Sequence, residues 1–350
     1  MSEVTAEVLL VGAGPIGIEM AVALSRAGIE YTHVEAGQIG STIEWYAPQT
    51  HFFSSPERIA IAGVPLQTLD QTKATREEYL RYLRAVVLQF DLVIHTFERM
   101  TRIEKRDDGS FDVTTLCNDE PRQWIAHNVI LAIGDMHRPR RIGVPGEDQP
   151  HVSHYFRDPH GYFRRRVMIV GGKNSAVEAA IRCVRVDARV TVVHRGEDFD
   201  PDRVKFWLLP EIRAMVREGR LEFLPQTVVQ EIRRDSAIAK RFDDQGESTL
   251  VEIPADFVLL LTGYEQDSTL FEMAGVTLEG ESRRPRLDPE TMETDVPGLF
   301  VAGTAVAGTQ IGGVREFIET SHVHVDRILA TLKGEPPPAA VVPEFELPES

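Results

Sequence analysis

The feature that most constrains this chain is a pair of glycine-rich turns of one design, Val-Gly-Ala-Gly-Pro-Ile-Gly from Val11 and Val-Gly-Gly-Lys-Asn-Ser-Ala from Val170, each following a short apolar run. A strand that passes through closely spaced glycines into an amphipathic helix turns the helix N-terminus, with its unpaired N–H groups and positive dipole end, toward a pyrophosphate. In the first loop Gly12 permits the tight turn, Gly14 lets backbone approach a ligand and Gly17 lets helix and strand pack closely, with Pro15 and Ile16 opening the helix. In the second, the corresponding contacts are Gly171, Gly172, Lys173, Asn174, Ser175 and Ala176. The spacing completes both units: 23 residues after Gly12 the next apolar run ends at Glu35, and 23 residues after Gly171 its equivalent ends at His194-Arg195. Two dinucleotides are expected.

The two sites differ where a ribose is read. A carboxylate at Glu35 can accept both hydroxyls of an adenosine ribose and would repel a 2′-phosphate, which fits FAD or NAD. Arg195, beside His194, offers a planar fork of donors suited to a 2′-phosphate, so NADPH is expected over NADH at the second site. Solvated residues at a strand end would look the same. Lys173 replaces the glycine that usually allows closest approach to the pyrophosphate, and its charge can serve the phosphates instead.

A late segment decides between FAD and NAD at the first site. Glu293-Thr-Asp-Val-Pro-Gly-Leu-Phe-Val-Ala-Gly-Thr304 resembles the second flavin-contacting motif of flavoproteins with two dinucleotides, in which a strand ends in Ala-Gly-Asp beside the ribitol. Thr304 stands in place of that Asp, so a hydroxyl or a water would carry its hydrogen bond. With Gly303 and Thr304, the strand end Val129-Ile-Leu-Ala-Ile-Gly134 supplies Ala132 and Gly134 as further contacts. Gly312 and Gly313 open an expected helix through about Leu332, whose N-terminus would face the flavin; a plain packing helix would look similar.

At 350 residues, 42% apolar and 26% charged, the chain is of globular composition and long enough for two cores. No apolar run approaches the ~20 residues needed to cross a bilayer, and the polar, acidic start from Met1 to Glu7 is unlike a basic signal peptide, so a cytoplasmic location is expected. A net charge of −16 argues against nucleic acid and anionic membranes as partners, although Arg138, Arg140 and Arg141, and Arg164 to Arg166, form local basic clusters. The two cysteines, Cys117 and Cys183, are 66 residues apart and make no C-x-x-C pair, so no metal site or redox disulfide is expected.

The expected fold class is α/β, with two Rossmann-like dinucleotide-binding domains. Residues 1–139 and 269–333 form a discontinuous FAD-binding domain and 151–268 an NADPH-binding domain that closes on the apolar run Asp256 to Gly263. His137 to Pro150, rich in Arg, Pro and Gly, is expected as a linker, and 334–350 as a disordered tail. Inserting one nucleotide domain in another would place both cofactors at an interface.

Several stretches share one resemblance. Gln49-Thr-His-Phe-Phe-Ser-Ser55 with Val64-Pro65, His154-Tyr-Phe156, Gly171 to Ala176, His194-Arg-Gly196 and Trp207-Leu-Leu-Pro210 resemble the bacillithiol disulfide reductases (bacilliredoxin reductases). These are thioredoxin-reductase-like, three-layer ββα flavoproteins without a C-x-x-C. The resemblance covers most of residues 5–330 and implies a homodimeric or tetrameric FAD enzyme that takes hydride from NADPH and reduces a low-molecular-weight disulfide. That family commonly carries a cysteine in its first glycine loop, where this chain has Ile16, which cannot exchange with a disulfide. His51, Phe52, Ser54 and Ser55 are candidates beside the isoalloxazine, with His51 a candidate proton donor for which packing in the core or on the flavin is the more ordinary role. His154 and Tyr155 are candidates for the nicotinamide pocket, and a packing role between the domains suits them equally.

Three functions compete: an NADPH-dependent reductase of a small disulfide, an NADPH reductase of a flavodoxin, ferredoxin or quinone, and a low-turnover flavoprotein that senses NADPH. The basic clusters suit an acidic electron-carrier protein as partner.

Overall fold

The run Val8 to Val11 is apolar at every position because its strand is covered on both faces, the pattern of a parallel sheet under two layers. Val8, Leu9 and Leu10 are wholly buried. This strand, Val4–Val11, lies between Tyr31–Val34 and Glu120–Leu131 and is parallel to both. Glu120–Leu131 serves two ladders: its first half pairs antiparallel with Phe111–Cys117, which pairs in turn with Glu98–Lys105. Its last residues pair in parallel with the late strand Leu299–Val301.

The structure is a computed structural model and describes residues 4–311 and 314–338. It divides into two units, one taking the chain up to Trp45, Gln49–Arg138 and the chain from Tyr264 on, the other Tyr46–Pro48 and Pro139–Gly263. The sheet just described belongs to the first. Both glycine loops follow a strand and open a helix, Pro15–Ala27 in the first unit and Asn174–Arg185 in the second.

The second unit is built on a five-stranded parallel sheet in the order Glu222–Leu224, Arg189–Val193, Arg166–Val170, Phe257–Leu260 and Val152–Ser153. Side chains alternate between its faces as a two-residue period requires. Val167, Ile169, Val190, Val192 and Leu259 pack with the helices Asn174–Arg185 and Leu209–Arg217. Met168, Val193, Val258 and Leu260 face the other way, under the antiparallel meander Thr227–Ile232, Ser236–Phe242 and Ser248–Pro254.

Two expected boundaries move. The stretch expected as a linker is part of the second unit: Ile142 and Val144 pack on its core, and Ile232 N–H donates to the Pro145 carbonyl at 2.8 Å. Gly146, at φ +84°, lies so close to this strand that a Cβ would sit 1.9 Å from the Ile232 carbonyl. The return to the first unit comes at Tyr264 rather than at 269, because Gln266 Nε2 bonds the carbonyls of Gly134 (3.0 Å) and Ala305 (2.9 Å), and Asp267 N–H donates to His137 Nδ1. The C-terminal helix runs Ile318–Lys333 and so starts later than expected; Gly312 and Gly313 lie outside the described residues, as does the tail from 339 on.

Two histidines are buried neutral in the first unit. Burial holds His33 down to about 4, against its bond to Gly12 and with help from the charge of His95. His324 is held at about 4 by burial, then by the charges of Arg327 and His322. Both groups take up protons in the unfolded chain near 6.5, so the unfolded state binds more protons between pH 6.5 and 4, and folding stability is whole above that window and falls as pH drops through it. The loss approaches about 3 kcal/mol for each histidine at the acid end. His322 runs oppositely: burial disfavours its charge, but the hydrogen bond and charge of Glu19 outweigh that and raise it, so its contribution is present at low pH and lost at high. Burial lowers His137 and His194 as well, so four histidines favour the fold at neutral pH against one that favours it in acid. Denaturant unfolding is expected to give a lower stability at pH 5 than at pH 7, and a stability that rises toward pH 5 would overturn the neutral state of His33 and His324 in the fold.

Candidate functional site

The first loop is defined by how little room it leaves. Gly12 takes φ +103°, and a Cβ there would sit 2.4 Å from the Ala132 carbonyl oxygen. A Cβ on Gly17 would sit 1.9 Å from the Gly12 carbonyl oxygen. At Gly14 the opposite holds, since a Cβ would meet nothing within 4 Å. Gly14 is extended (φ −74°, ψ −176°) and precedes the helix Pro15–Ala27, whose start has no side-chain cap. By contrast, the helix Arg76–Gln89 carries a complete capping box from Thr75 and Glu78. A helix start left uncapped beside open space has N–H groups to offer a phosphate, so the residues present fit a dinucleotide.

Glu35 lies at the end of the second strand, buried, and its carboxylate already accepts from the N–H of Ala13 (2.6 Å) and of Gly37 (2.8 Å) and from the Ser41 hydroxyl (3.2 Å). A carboxylate has about four acceptor positions, so capacity for a ribose hydroxyl is left. The carboxylate therefore ties the loop to the strand.

Residues nearly 290 positions apart meet at this loop. Ile16 is buried, and its Cβ lies 3.4 Å from where a Cβ on Gly303 would be. Gly303 (φ +73°) donates its N–H to His324 Nδ1 at 3.2 Å and begins the turn Gly303–Ala307, which holds Thr304 half-buried; Thr304 Oγ1 is 3.8 Å from where a Cβ on Gly134 would be. Ala132 and Gly134 thus join Gly12, Ile16, Gly303 and Thr304 in one cluster. The segment from His51 runs alongside the helix Arg76–Gln89: His51 is exposed and bridges Thr75, and the Phe52 ring lies 4.5 Å from that of Tyr79. Ser54 donates to Glu319 at 2.5 Å, and Ser55 is buried at the start of the short helix Pro56–Ile59. Glu19, on the helix after the loop, accepts from Ala62 N–H and pairs with His322, which also reaches the Arg58 carbonyl. That network fixes the 54–62 segment to the loop helix, and neither His322 nor His324 carried a sequence signal beyond its place on a helix.

At the second loop, Gly171 (φ +147°) leaves no room, since a Cβ would sit 2.6 Å from the Leu261 carbonyl oxygen and 2.9 Å from the Ala176 Cβ. Gly172 is required by a side chain: its Cβ would fall 2.4 Å from the His194 ring. His194 is accordingly a support under the loop, stacked near Phe199 and Phe223, and burial and Arg195 both lower its pKa. Lys173 is extended (φ −106°), so a side chain is tolerated where the first loop has Gly14, and the helix start at Asn174 is again without a side-chain cap. Asn174 Oδ1 accepts the Lys205 N–H at 2.6 Å, which ties the following segment to the helix start; Ser175 is exposed and Ala176 is buried beneath the loop. The Lys173 ammonium is lowered by desolvation and then by the positive charges of Arg203, Arg140 and Arg195, against the pull of Asp200. Arg195 is exposed and lines an open cleft of about 540 Å³ together with Gln226, Val228 and Phe242. Arg140 belongs to a basic cluster visible in the sequence, whereas Arg203 is the residue missed from it; both act on Lys173 from outside the loop, a relation with no spacing signature.

The remaining candidates fall elsewhere. His154 lies 3.4 Å from Glu147, and Tyr155 N–H donates to Ser153 Oγ, both beside the edge strand Val152–Ser153. The basic clusters are largely answered by acids: Arg138 by Glu265, Arg141 by Asp148, Arg164 by Asp187, and Arg166 by Asp256 at 2.5 Å. Cys183 is in the core of the second unit, where burial pushes its thiol up to about 12. Cys117 ends an antiparallel strand opposite Glu98 and Glu120. Neither thiol is at a glycine loop, and among the described residues no cluster of His, Cys, Asp or Glu could hold a metal ion.

Comparison with known proteins agrees with this geometry. The model of the pyridine nucleotide-disulphide oxidoreductase family matches residues 9–303. The chain is 35% identical to the bacilliredoxin reductase of Bacillus subtilis, over 93% of this chain and 96% of that one. It is 27% identical to a ferredoxin–NADP reductase of Ignicoccus hospitalis, over 85% and 89% of the two chains. Among solved structures, the bacillithiol disulfide reductase of Bacillus cereus superposes with a TM-score of 0.87 at 34% identity, covering 94% of this chain and 99% of that one. With two Rossmann-like units of thioredoxin-reductase-like fold, the chain belongs to the pyridine nucleotide-disulphide oxidoreductase family, among the bacilliredoxin reductases, and is an oxidoreductase that uses a flavin and a pyridine nucleotide.

Proposed function

We propose that the first unit holds FAD, that the second holds NADPH, and that the chain delivers the reducing equivalents to a low-molecular-weight disulfide of the bacillithiol type. The observation that carries the cofactor reading is the contrast in charge at two loops of one geometry. A buried carboxylate, Glu35, ends the second strand of the first unit. At the second loop Lys173 stands among Arg140, Arg195 and Arg203. An acid suits a ribose with two free hydroxyls, and a ring of cations suits a pyrophosphate together with a 2′-phosphate.

Bound flavin and nicotinamide would supply the hydride chemistry, and the residues of the chain supply binding, orientation and proton control. The uncapped helix starts at Pro15 and Asn174 offer N–H groups to phosphate oxygens. Glu35 holds ribose hydroxyls while keeping Ala13 in place, and Arg195 reads the 2′-phosphate. Ala132, Gly134, Gly303 and Thr304 would line the far end of the first site, and the family resemblance gives Phe52, Ser54 and Ser55 a place beside the flavin ring. His51, exposed, is the candidate donor of the proton that accompanies NADPH in turning one disulfide into two thiols. Ile16 removes any thiol from the first loop, so the disulfide is reduced without a cysteine of this chain as relay.

That same absence favours a second reading, in which the acceptor is an electron carrier such as a ferredoxin, flavodoxin or quinone. The similarity to ferredoxin–NADP reductases over 85% of the chain supports it. The two readings part on turnover: NADPH consumption stimulated by bacillithiol disulfide supports the first, and consumption stimulated only by ferredoxin or a quinone, and lost at high salt for the protein carrier, supports the second.

Two predictions test the cofactor reading. Anaerobic titration of the purified protein is expected to bleach the flavin absorbance rapidly with NADPH and slowly with NADH; a preparation without flavin, or one that NADPH leaves oxidised, overturns it. Arg195→Glu is expected to raise the KM for NADPH by about ten- to a hundredfold, the worth of a charge-assisted bond, and to leave that for NADH nearly unchanged. Equal effects on both coenzymes would remove Arg195 from the 2′-phosphate.

A further inference from the structure

His33 is wholly buried in the strand Tyr31–Val34, next to the wholly buried Val34, and no part of the dinucleotide motif requires a polar residue there. Its Nε2 lies 2.8 Å from the Gly12 carbonyl oxygen. A carbonyl can only accept, so Nε2 carries the proton and donates. Nδ1 has no hydrogen-bond partner among the described residues, so the ring's one specific polar contact is with the loop.

Glu35 stands two positions on, which puts it on the same face of the strand as His33. Its Oε2 accepts from the N–H of Ala13 at 2.6 Å. The Gly12 carbonyl and the Ala13 N–H are the two ends of one peptide group. His33 therefore holds one end and Glu35 the other, while Gly12 N–H is bound to the Val34 carbonyl at 2.8 Å and the Ala13 carbonyl accepts from Gly40 N–H at 2.9 Å. Glycine backbone rotates easily between φ signs, and this is the peptide on which the direction of the following N–H groups depends. The pin is a donor without charge, so it adds no ion to the buried strand.

We propose that His33 is a positioning residue for the dinucleotide at the first loop, acting by locking the Gly12–Ala13 peptide between itself and Glu35 in the orientation that aims the loop at the pyrophosphate. The inference rests on the first loop being the FAD site. Without the imidazole donor, the Gly12 carbonyl is left buried without its partner, the peptide is held by a side chain at its Ala13 end alone, and ligand binding must make up the lost preorganisation.

The test compares flavin dissociation from the purified holoprotein, read as the fluorescence regained on serial dilution, in the parent, His33→Leu and His33→Gln. Loss of the donor in His33→Leu is expected to raise the dissociation constant about tenfold or more, and His33→Gln, whose side-chain amide keeps an N–H for the carbonyl, to restore it to within a few-fold of the parent. A His33→Leu protein that binds flavin like the parent overturns the proposal, as does a His33→Gln protein no better than His33→Leu. A parent without FAD overturns the site assignment itself, an outcome distinct from parent and His33→Leu binding alike. Should His33→Leu fail to fold, nitrogen NMR of the parent at pH 7 decides. A His33 ring protonated at Nε2 and bare at Nδ1 supports the proposal, and the Nδ1–H tautomer overturns it.

Discussion

The first unit depends on the close approach of Gly17 to the Gly12 carbonyl. A Cβ at Gly17 would sit 1.9 Å from that oxygen, well inside any real contact, so the helix can lie this near the strand only without a side chain there. The approach sets where the helix begins and hence where its unpaired N–H groups point. The other neighbours of the loop follow from it. Ala132 closes over Gly12, the late strand Leu299–Val301 brings Gly303 against Ile16, and strand Tyr31–Val34 brings His33 and Glu35 to either end of the Gly12–Ala13 peptide.

The second unit solves the same problem with different means. Its glycines are required by backbone crowding at Gly171 and by the His194 ring at Gly172, so an imidazole does under this loop part of the work that close backbone packing does under the first. Because Lys173 is extended, the position that is bare at Gly14 can carry a charged side chain. The first loop thus offers a ligand bare backbone and one carboxylate, while the second surrounds it with cations. On the proposed reading, two sites of one topology would differ in nucleotide preference through what stands at the strand ends.

A flavin reductase that takes electrons from a nicotinamide needs no residue of its own to be oxidised, and this chain is consistent with that minimum. Ile16 fills the place of a thiol against Gly303, Cys183 is sealed in a core and Cys117 ends a distant strand pair. On the proposed reading, the disulfide would be selected by the shape and charge of its surroundings and not by exchange with a thiol of this chain.

The sequence by itself determined the two nucleotide units, their glycine turns, the acid at Glu35 and the cation at Arg195, because these features are local: a strand, a turn and a helix within about 30 residues leave a period and a spacing that can be counted. It also carried the family, through segments such as Gln49 to Ser55 and Gly171 to Ala176. The domain edges were less legible, since composition alone made 137–150 look like a linker when Ile142 and Val144 are core contacts. Only the tertiary structure decided that His33 reaches Gly12, that His194 lies beneath Gly172, and that Arg140 and Arg203 gather near Lys173. Those relations join residues from separate strands and turns, and a contact fixed by the packing of whole layers leaves no periodic trace in the chain.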